Sequence, residues 1–384
     1  MAAAFALAGC VSCPPSGPLS LAKVGFADLP GWENADAGPA FAAFLRSCGK
    51  MATKDAAAPM GGAGYAGSTG DWRPACAAAA AFGGAEKRRF FEEEFAPMAI
   101  RAGQAEKGLF TGYYEPEISV SRTRHDGFQT PVYGVPSNLV MADLGIFRPA
   151  LKGEHIAGKV KNGRLVPYAR RAEIDAAGLP GAPVLFYAAD PVDLFFLQIQ
   201  GSGRARVDDG TKVRLSYGAQ NGYPYTAIGR VLVARGALKR EEVSLAAIRA
   251  WLSAHPAEAR NVMEQNDSYV FFREDPLGDA ALGASGAEGV PLTAAGSMAV
   301  DTRIHPLGVP FFVAADTALK HLSVAQDKGG AIRGIVRADL YLGVGAEAEA
   351  AAGSLQASGR LYVFLPKPLA AKMAVRTDYP EAAP

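Results

Sequence analysis

At 384 residues the chain is longer than one ordinary domain and points to two or three, with two the working expectation. Its 49% hydrophobic and 20% charged residues supply ample core material and exclude a disordered chain. Thirty-nine Lys plus Arg against 38 Asp plus Glu leave a formal net charge of +1, so bulk electrostatics call for neither nucleic acid nor an anionic surface, and a neutral or mixed-charge ligand fits better.

Met1 to Cys10 is apolar, ends in small residues before a cysteine and is too short to span a bilayer. It reads as the end of a secretion signal, and Leu7-Ala8-Gly9-Cys10 resembles the bacterial lipobox, with Cys10 the lipidated residue. No basic residue precedes Lys23, so the usual positive start of such a signal is missing. A Pro/Gly-rich tether then runs to about residue 35. Cys48 and Cys76 are read either as a disulfide, worth about 3 kcal/mol in an oxidising compartment, or as two buried thiols. Phe41, Phe44, Leu45 and Cys48 recur at helical spacing, as do Phe90, Phe91, Phe95 and Met98. From Gly108 the texture changes to short apolar runs broken by Gly, Pro and Asn, with strands expected at Phe128 to Val135, Val184 to Tyr187 and Leu194 to Ile199. Residues 239–265 read as helical, interrupted at Pro256, and as a bridge between two domains. Strands are expected again at Tyr269 to Phe272, Phe311 to Ala314, Ile332 to Val336 and Leu361 to Leu365, and a short helix at Glu347 to Ala352.

Generic catalytic patterns mostly fail. The five histidines, at 125, 155, 255, 305 and 321, lack zinc spacing, so no metal is expected, and no cofactor pattern survives. Gly343-Val344-Gly345 imitates a dinucleotide loop, but only 39 residues remain after Gly345, too few for the rest of a doubly wound sheet. Gly201-Ser202-Gly203 lacks the spacing of a hydrolase serine, and with Gln200 it suggests a polar binding loop. What remains is carboxylates and tyrosines in Gly-rich strands. Sugars offer apolar faces to aromatic rings and hydroxyls to short polar groups. Acid catalysis at a glycosidic bond needs a carboxylic acid still protonated near neutral pH, a state that burial favours.

Three sets of residues carry a resemblance. The first is Phe110-Thr111-Gly112-Tyr113-Tyr114-Glu115-Pro116, Arg171-Ala172-Glu173-Ile174, Gln198-Ile199-Gln200-Gly201-Ser202-Gly203 and Ser216-Tyr217-Gly218-Ala219-Gln220-Asn221-Gly222. The second is Asn266-Asp267-Ser268-Tyr269-Val270-Phe271-Phe272, and the third is the aspartates Asp301, Asp327 and Asp339 in the last hundred residues. Together they resemble the membrane-bound lytic murein transglycosylase A family, including its small C-terminal domain named for three aspartates. The resemblance implies a mainly β fold with N-terminal helices: a double-psi β-barrel domain carrying an inserted smaller β-domain. The expected divisions are signal and tether over 1–35, an N-terminal helical part of the barrel domain over 36–110, the inserted β-domain over 111–238, and linking helices with the rest of the barrel over 239–384.

The activity so implied is lytic cleavage of the bond between N-acetylmuramic acid and N-acetylglucosamine in peptidoglycan, leaving a 1,6-anhydro end. Asp339 would protonate the bridging oxygen and then, as carboxylate, take the proton of the muramoyl C6 hydroxyl, which attacks C1. Asp327 would polarise or orient Asp339. Thr111, Tyr113, Tyr114, Gln200, Ser202 and Gly203 would contact the glycan. Asp301 is kept among the substrate contacts, although a turn or capping role suits it better. Lys328 departs from the small or apolar residue common at that place. Periplasmic location, an outer-membrane anchor through Cys10 and cell-wall synthases or amidases as companions follow from the same resemblance. A non-catalytic peptidoglycan-binding lipoprotein and a murein hydrolase are the alternatives.

Overall fold

Leu19 and Leu21 alternate with smaller residues along Leu19–Lys23, and this segment is a strand, pairing antiparallel with Phe95–Ala102 so that Leu21 faces Ile100. The computed structural model of the chain describes residues 17–151, 154–373 and 376–379; Cys10 and Cys13 lie outside them. The expected tether over 1–35 is therefore corrected in its second half, where Trp32 is buried and stands edge-on to Phe312 and Phe364. The described residues fall into two units, one made of residues before 115 and after 278, the other of 115–278.

In the first unit six strands close into a barrel. Pro310–Ala315, Lys320–Asp327, Ser297–Val300, Arg337–Val344, Lys107–Glu115 and Gln356–Pro366 are neighbours in that order, and Gln356–Pro366 pairs back onto Pro310–Ala315. Closure leaves the six without a free edge. Ser297–Val300 runs parallel to Lys320–Asp327 and antiparallel to Arg337–Val344, a mixed ladder compatible with the double-psi path. Alternation sends Phe110, Val300, Ala338 and Leu340 into one apolar core. At Gly108 a Cβ would stand 1.7 Å from the Val336 carbonyl oxygen, so only glycine lets this strand start beside the Asp339 strand.

Helices Gly38–Ala52 and Thr69–Ala81 pack on the barrel and are joined by the Cys48–Cys76 disulfide, with Cα atoms 5.4 Å apart. Their rings meet those of helix Lys87–Glu94 in a cluster that includes Phe44, Trp72, Phe90 and Phe95. Each such buried ring contributes about 2–3 kcal/mol of transfer free energy. Phe95 and Met98, expected to be helical, belong instead to the strand that follows. Ile332–Val336, expected as a strand, is the loop leading into Arg337–Val344, since Gly334 turns left-handed at φ 113°.

The second unit is a six-stranded sheet in the order Val270–Pro276, Lys212–Gln220, Gly203–Val207, Glu117–Ser121, Val184–Ala188 and Thr130–Tyr133, with a bridge between Gly134 and Phe272 joining its edges. Leu194–Ile199 is not a strand but part of helix Pro191–Gln200. A helix buried all round reads like a buried strand, and only its ends betray it: Asp190 accepts a hydrogen bond from the Val192 amide, Pro191 opens the helix, and Gly201 closes it at φ 84°. Helices Leu245–Ala254 and Pro256–Met263 do not bridge units. Leu245, Ile248, Leu252, Val262 and Met263 are buried within the second unit, which is where their shared apolar face finds its partner. This unit accordingly ends near residue 278 and not at 238.

Candidate active site

The two candidate carboxylates are brought together by one small residue. Ala299 pairs with Asp339 on one side and with Asp327 on the other, so both aspartates stand across the same strand. The ladder to Asp327 slips between Met298 and Ala299, a bulge that puts Asp327 instead of Gln326 opposite Ala299. Strand spacing separates the two backbones by two steps, about 10 Å.

Asp339 has no exposed surface. Thr111 Oγ1 donates to its Oδ1 at 2.5 Å, and Arg337 Nη2 donates to Thr111 Oγ1 at 2.8 Å. Arg337 Nη1 meanwhile donates to the backbone carbonyls of Leu109, at 3.3 Å, and Ala338. Its charge thus steadies the carboxylate through Thr111 and at short range without a direct hydrogen bond. Asp339 Oδ2 has no hydrogen-bond partner among the described residues. Burial pushes the Asp339 carboxyl up to about 6 and the Asp327 charge adds to this, against the opposing pull of Arg337 and of the Thr111 hydroxyl.

Asp327 is differently placed. Tyr113 donates its hydroxyl to Oδ2 at 3.0 Å, and the Ala287 amide donates to Oδ1 at 3.0 Å. Tyr113 is buried against Tyr341, ring centroids 5.3 Å apart, and burial followed by the two aspartate charges holds its phenol well above the usual range, so it donates and does not ionise.

The turn that supplies the Ala287 amide is tied down by a group that sequence reading missed. Glu288 is buried, accepts the Ser47 hydroxyl at 2.7 Å, and is pushed up to about 7 by burial, against Ser47, the charges of Lys54 and Lys50, and Gln326. Gln326 donates to Ser47 Oγ and to the Ala43 carbonyl and accepts from Ser297. The only local signal was a polar run, Gln326-Asp327, closing an apolar strand.

The remaining candidates are dispersed. Tyr114 is buried, and alternation turns it away from the face that carries Thr111 and Tyr113. Asp301 closes a turn: its carboxylate accepts from the Arg303 guanidinium at 2.9 and 3.0 Å and from the Gly334 amide at 3.0 Å, with Arg333 at 3.6 Å. Burial pushes it upward, but the Arg303 and Gly334 hydrogen bonds outweigh burial and hold it below the usual range. Those contacts make it the anion that holds this turn. Gln200 is the last residue of a helix and Ser202 follows its cap, so they do not form the continuous loop expected. A Cβ at Gly203 would stand 2.6 Å from the Pro116 carbonyl oxygen and 2.3 Å from Leu197, which explains the glycine by close packing. Gln200, Ser202 and Gly203 belong to the second unit, Asp339 and Asp327 to the first. Among the described residues no group of three side chains could hold a metal ion.

Several residues of the quoted motifs turn out to build the second unit. Arg171 is buried between Phe195 and Tyr269 and donates to the carbonyls of Asn266 and Ser268 at 3.0 and 2.6 Å. Glu115 lies buried between Arg204 and Arg214, at 3.3 and 2.8 Å.

Residues 109–273 match the MltA specific insert domain and residues 296–365 match the 3D domain. The solved membrane-bound lytic murein transglycosylase from Agrobacterium tumefaciens superposes with a TM-score of 0.80 at 32% identity, covering 92% of this chain and 99% of that one. The chain belongs to the membrane-bound lytic murein transglycosylase A family. MltA from Neisseria gonorrhoeae superposes with a TM-score of 0.77 at 30% identity over 97% of this chain and 99% of that one. The Escherichia coli K12 enzyme is 35% identical over 271 residues, 67% of this chain, and the chain spans 66% of that relative's length. A structure of E. coli MltA contains bound chitohexaose; at 28% identity its TM-score is 0.67, over 92% of this chain and 96% of that one. Among the described residues no helix is long and apolar enough to cross a membrane.

Proposed function

We propose that this protein is a peptidoglycan lytic transglycosylase in which Asp339 alone carries the proton. The observation that carries the reading is the Asp339 carboxyl: sealed from solvent, held at Oδ1 by Thr111, open at Oδ2, and raised to about 6 by burial. In the protonated state Oδ2 gives its proton to the oxygen linking N-acetylmuramic acid to N-acetylglucosamine as positive charge develops at C1. The resulting carboxylate, steadied by Thr111 and the Arg337 charge, takes the proton from the muramoyl C6 hydroxyl while that oxygen bonds to C1. The 1,6-anhydro ring closes, the chain is cut, and Asp339 ends protonated as it began. Because Asp339 has no exposed surface, glycan binding has to open a path to Oδ2.

A second carboxylate across one strand invites the hydrolase reading, with Asp327 activating water. Both Asp327 oxygens already accept hydrogen bonds, from Tyr113 and Ala287, which disfavours a base and suits an electrostatic helper. Digestion of purified murein separates the readings. A lyase releases muropeptides one water lighter than those of a hydrolase, and a binding protein releases none. Loss of release in Asp339→Asn is expected; unchanged release would sink the assignment.

The family's name and the chemistry of Cys10 support an extracytoplasmic protein anchored to the outer membrane by lipid. Mass spectrometry of the mature N-terminus should find a diacylated Cys10; an unmodified Met1 would remove the anchor.

A further inference from the structure

The second unit carries a three-stranded antiparallel meander, Val140–Asp143, His155–Lys161 and Arg164–Pro167, whose faces are the reverse of the usual arrangement. Register sets Ala142 opposite Ile156 and Val160 opposite Leu165, and alternation adds Val140 and Pro167 to the same face. That face is apolar throughout, and Val140, Ile156, Val160 and Leu165 are between 37% and 63% exposed. The opposite face is the one packed inward. Lys159 lies over the Tyr168 ring at 5.7 Å, and Gly222 comes so close that a Cβ there would stand 2.9 Å from the Ala157 Cβ. An antiparallel sheet covered on one side ordinarily turns its apolar residues to the core and its polar ones to water. Beyond the first of these strands the chain makes one helical turn, Leu144–Phe147, and leaves Ile146 80% and Phe147 74% exposed.

Contiguous exposed apolar surface marks an interaction site, and charge selects its partner. Residues 140–167 hold five Lys or Arg against two Asp or Glu, in a chain whose net charge is +1. Arg148, Lys161 and Arg164 are exposed, and among the described residues no carboxylate pairs with them. Lys161 and Arg164 stand opposite each other at the hairpin turn Asn162-Gly163, where φ is 50° and 73°. A second copy docked on this face about a two-fold axis would bring these cations against their own kind. Sugars stack on flat aromatic rings, whereas this face offers branched aliphatic side chains.

We propose that this sheet and the adjoining turn form a lipid-contact surface for an anionic phospholipid bilayer. Ile146, Phe147 and the outward aliphatic side chains enter the boundary between headgroups and acyl chains, while Arg148, Lys161 and Arg164 meet the headgroup phosphates. Their long stems let the charges stay at the headgroups as the apolar neighbours sink. This contact belongs to the folded second unit and does not depend on a lipid at Cys10.

Cosedimentation of the full chain carrying Cys10→Ala, which has no site for a lipid anchor, with vesicles of phosphatidylethanolamine and phosphatidylglycerol at roughly 3:1 tests this. That chain is expected to bind these vesicles, and to bind vesicles of phosphatidylcholine alone at least about tenfold more weakly. In the same background, Ile146→Ser with Phe147→Ser, and separately Lys161→Glu with Arg164→Glu, should each weaken binding to the anionic vesicles at least about tenfold. All four residues are exposed, so both double variants should unfold at the denaturant midpoint of the parent and release muropeptides from isolated murein as it does. No sedimentation with anionic vesicles at millimolar lipid, equal binding to phosphatidylcholine, or undiminished binding by either double variant would overturn the proposal. So would a dimer in analytical ultracentrifugation that the Ile146 and Phe147 substitutions dissolve. Murein release and the state of Cys10 are scored separately, so a failure of the lyase reading or of the anchor is distinguishable from a failure here.

Discussion

Asp301 and Asp339 belong to the same barrel unit, and neither shows more than 1% of its surface, yet their surroundings drive them in opposite directions. Around Asp301, Arg303 reaches both oxygens and Gly334 adds an amide, so the charged form is favoured despite burial. Around Asp339, the neighbouring arginine spends its donors on Thr111 and two carbonyls, one carboxyl oxygen is left open, and burial wins. Burial alone does not make an acid; where the nearest guanidinium points decides it. The turn at Asp301 is held by a fixed anion, and the proton shuttle proposed for Asp339 needs a group that can exist in both states.

The largest test of this contrast is kinetic. Asp339→Asn should lower release of anhydro-muropeptides about 10³-fold, within the range of general acid–base catalysis, while Asp301→Asn, compared at a temperature where it stays folded, should retain most of it. Equal losses would erase the distinction.

Stability should show the opposite pattern. The Asp339 carboxyl titrates at about 6 in the folded chain and at about 3.9 in an unfolded one, so between those values the folded state holds the extra proton. Stability therefore falls as pH rises from about 4 to 6, by about 3 kcal/mol. Asp339→Asn should recover that amount at pH 7.5 and little of it at pH 4, measured by denaturant unfolding. For Asp301 the sign reverses: its folded value lies below the unfolded one, so its contribution is present above the unfolded value and is lost as pH falls through the folded one. Asp301→Asn should cost about 2 kcal/mol at pH 7.5, the worth of its charged hydrogen bonds, and less in acid.

The smallest effect concerns Thr111. Its hydroxyl favours the ionised form of Asp339, so Thr111→Val should raise the carboxyl. In the proposed mechanism the acid form starts the reaction, so the descending limb of the pH–rate profile should move to higher pH, by under about one unit for a hydrogen bond of about 1 kcal/mol. A limb that moved down would mean that Thr111 serves the neutral acid instead.

Asp339, Asp327, Thr111 and Tyr113 were singled out through motifs that carry the family resemblance, Thr111 and Tyr113 as glycan contacts; that their hydroxyls donate to the two carboxylates was not read. Thr111 and Asp339 are 228 residues apart, and nothing local joins them. Arg337 could have been found, since it lies two residues before Asp339 in a strand and so shares its face. The helix ending at Gln200 was misread because its apolar run is continuous, and the same error turned Gln200, Ser202 and Gly203 into one loop. The helices after residue 244 were read correctly as helices and wrongly as a link, because periodicity reveals an apolar face but not what covers it. Ser47 and Glu288 lie 241 residues apart, beyond any periodic signal.

The slip at Gln326 makes the alignment of the two carboxylates depend on a single surplus residue. Straightening the ladder with every residue kept would set Gln326 opposite Ala299 and carry Asp327 out of line, while its side chain remained the same amino acid. Register in this segment is thus as much a part of the site as composition, because the bulge and not the residue type sets which side chain stands across from Asp339.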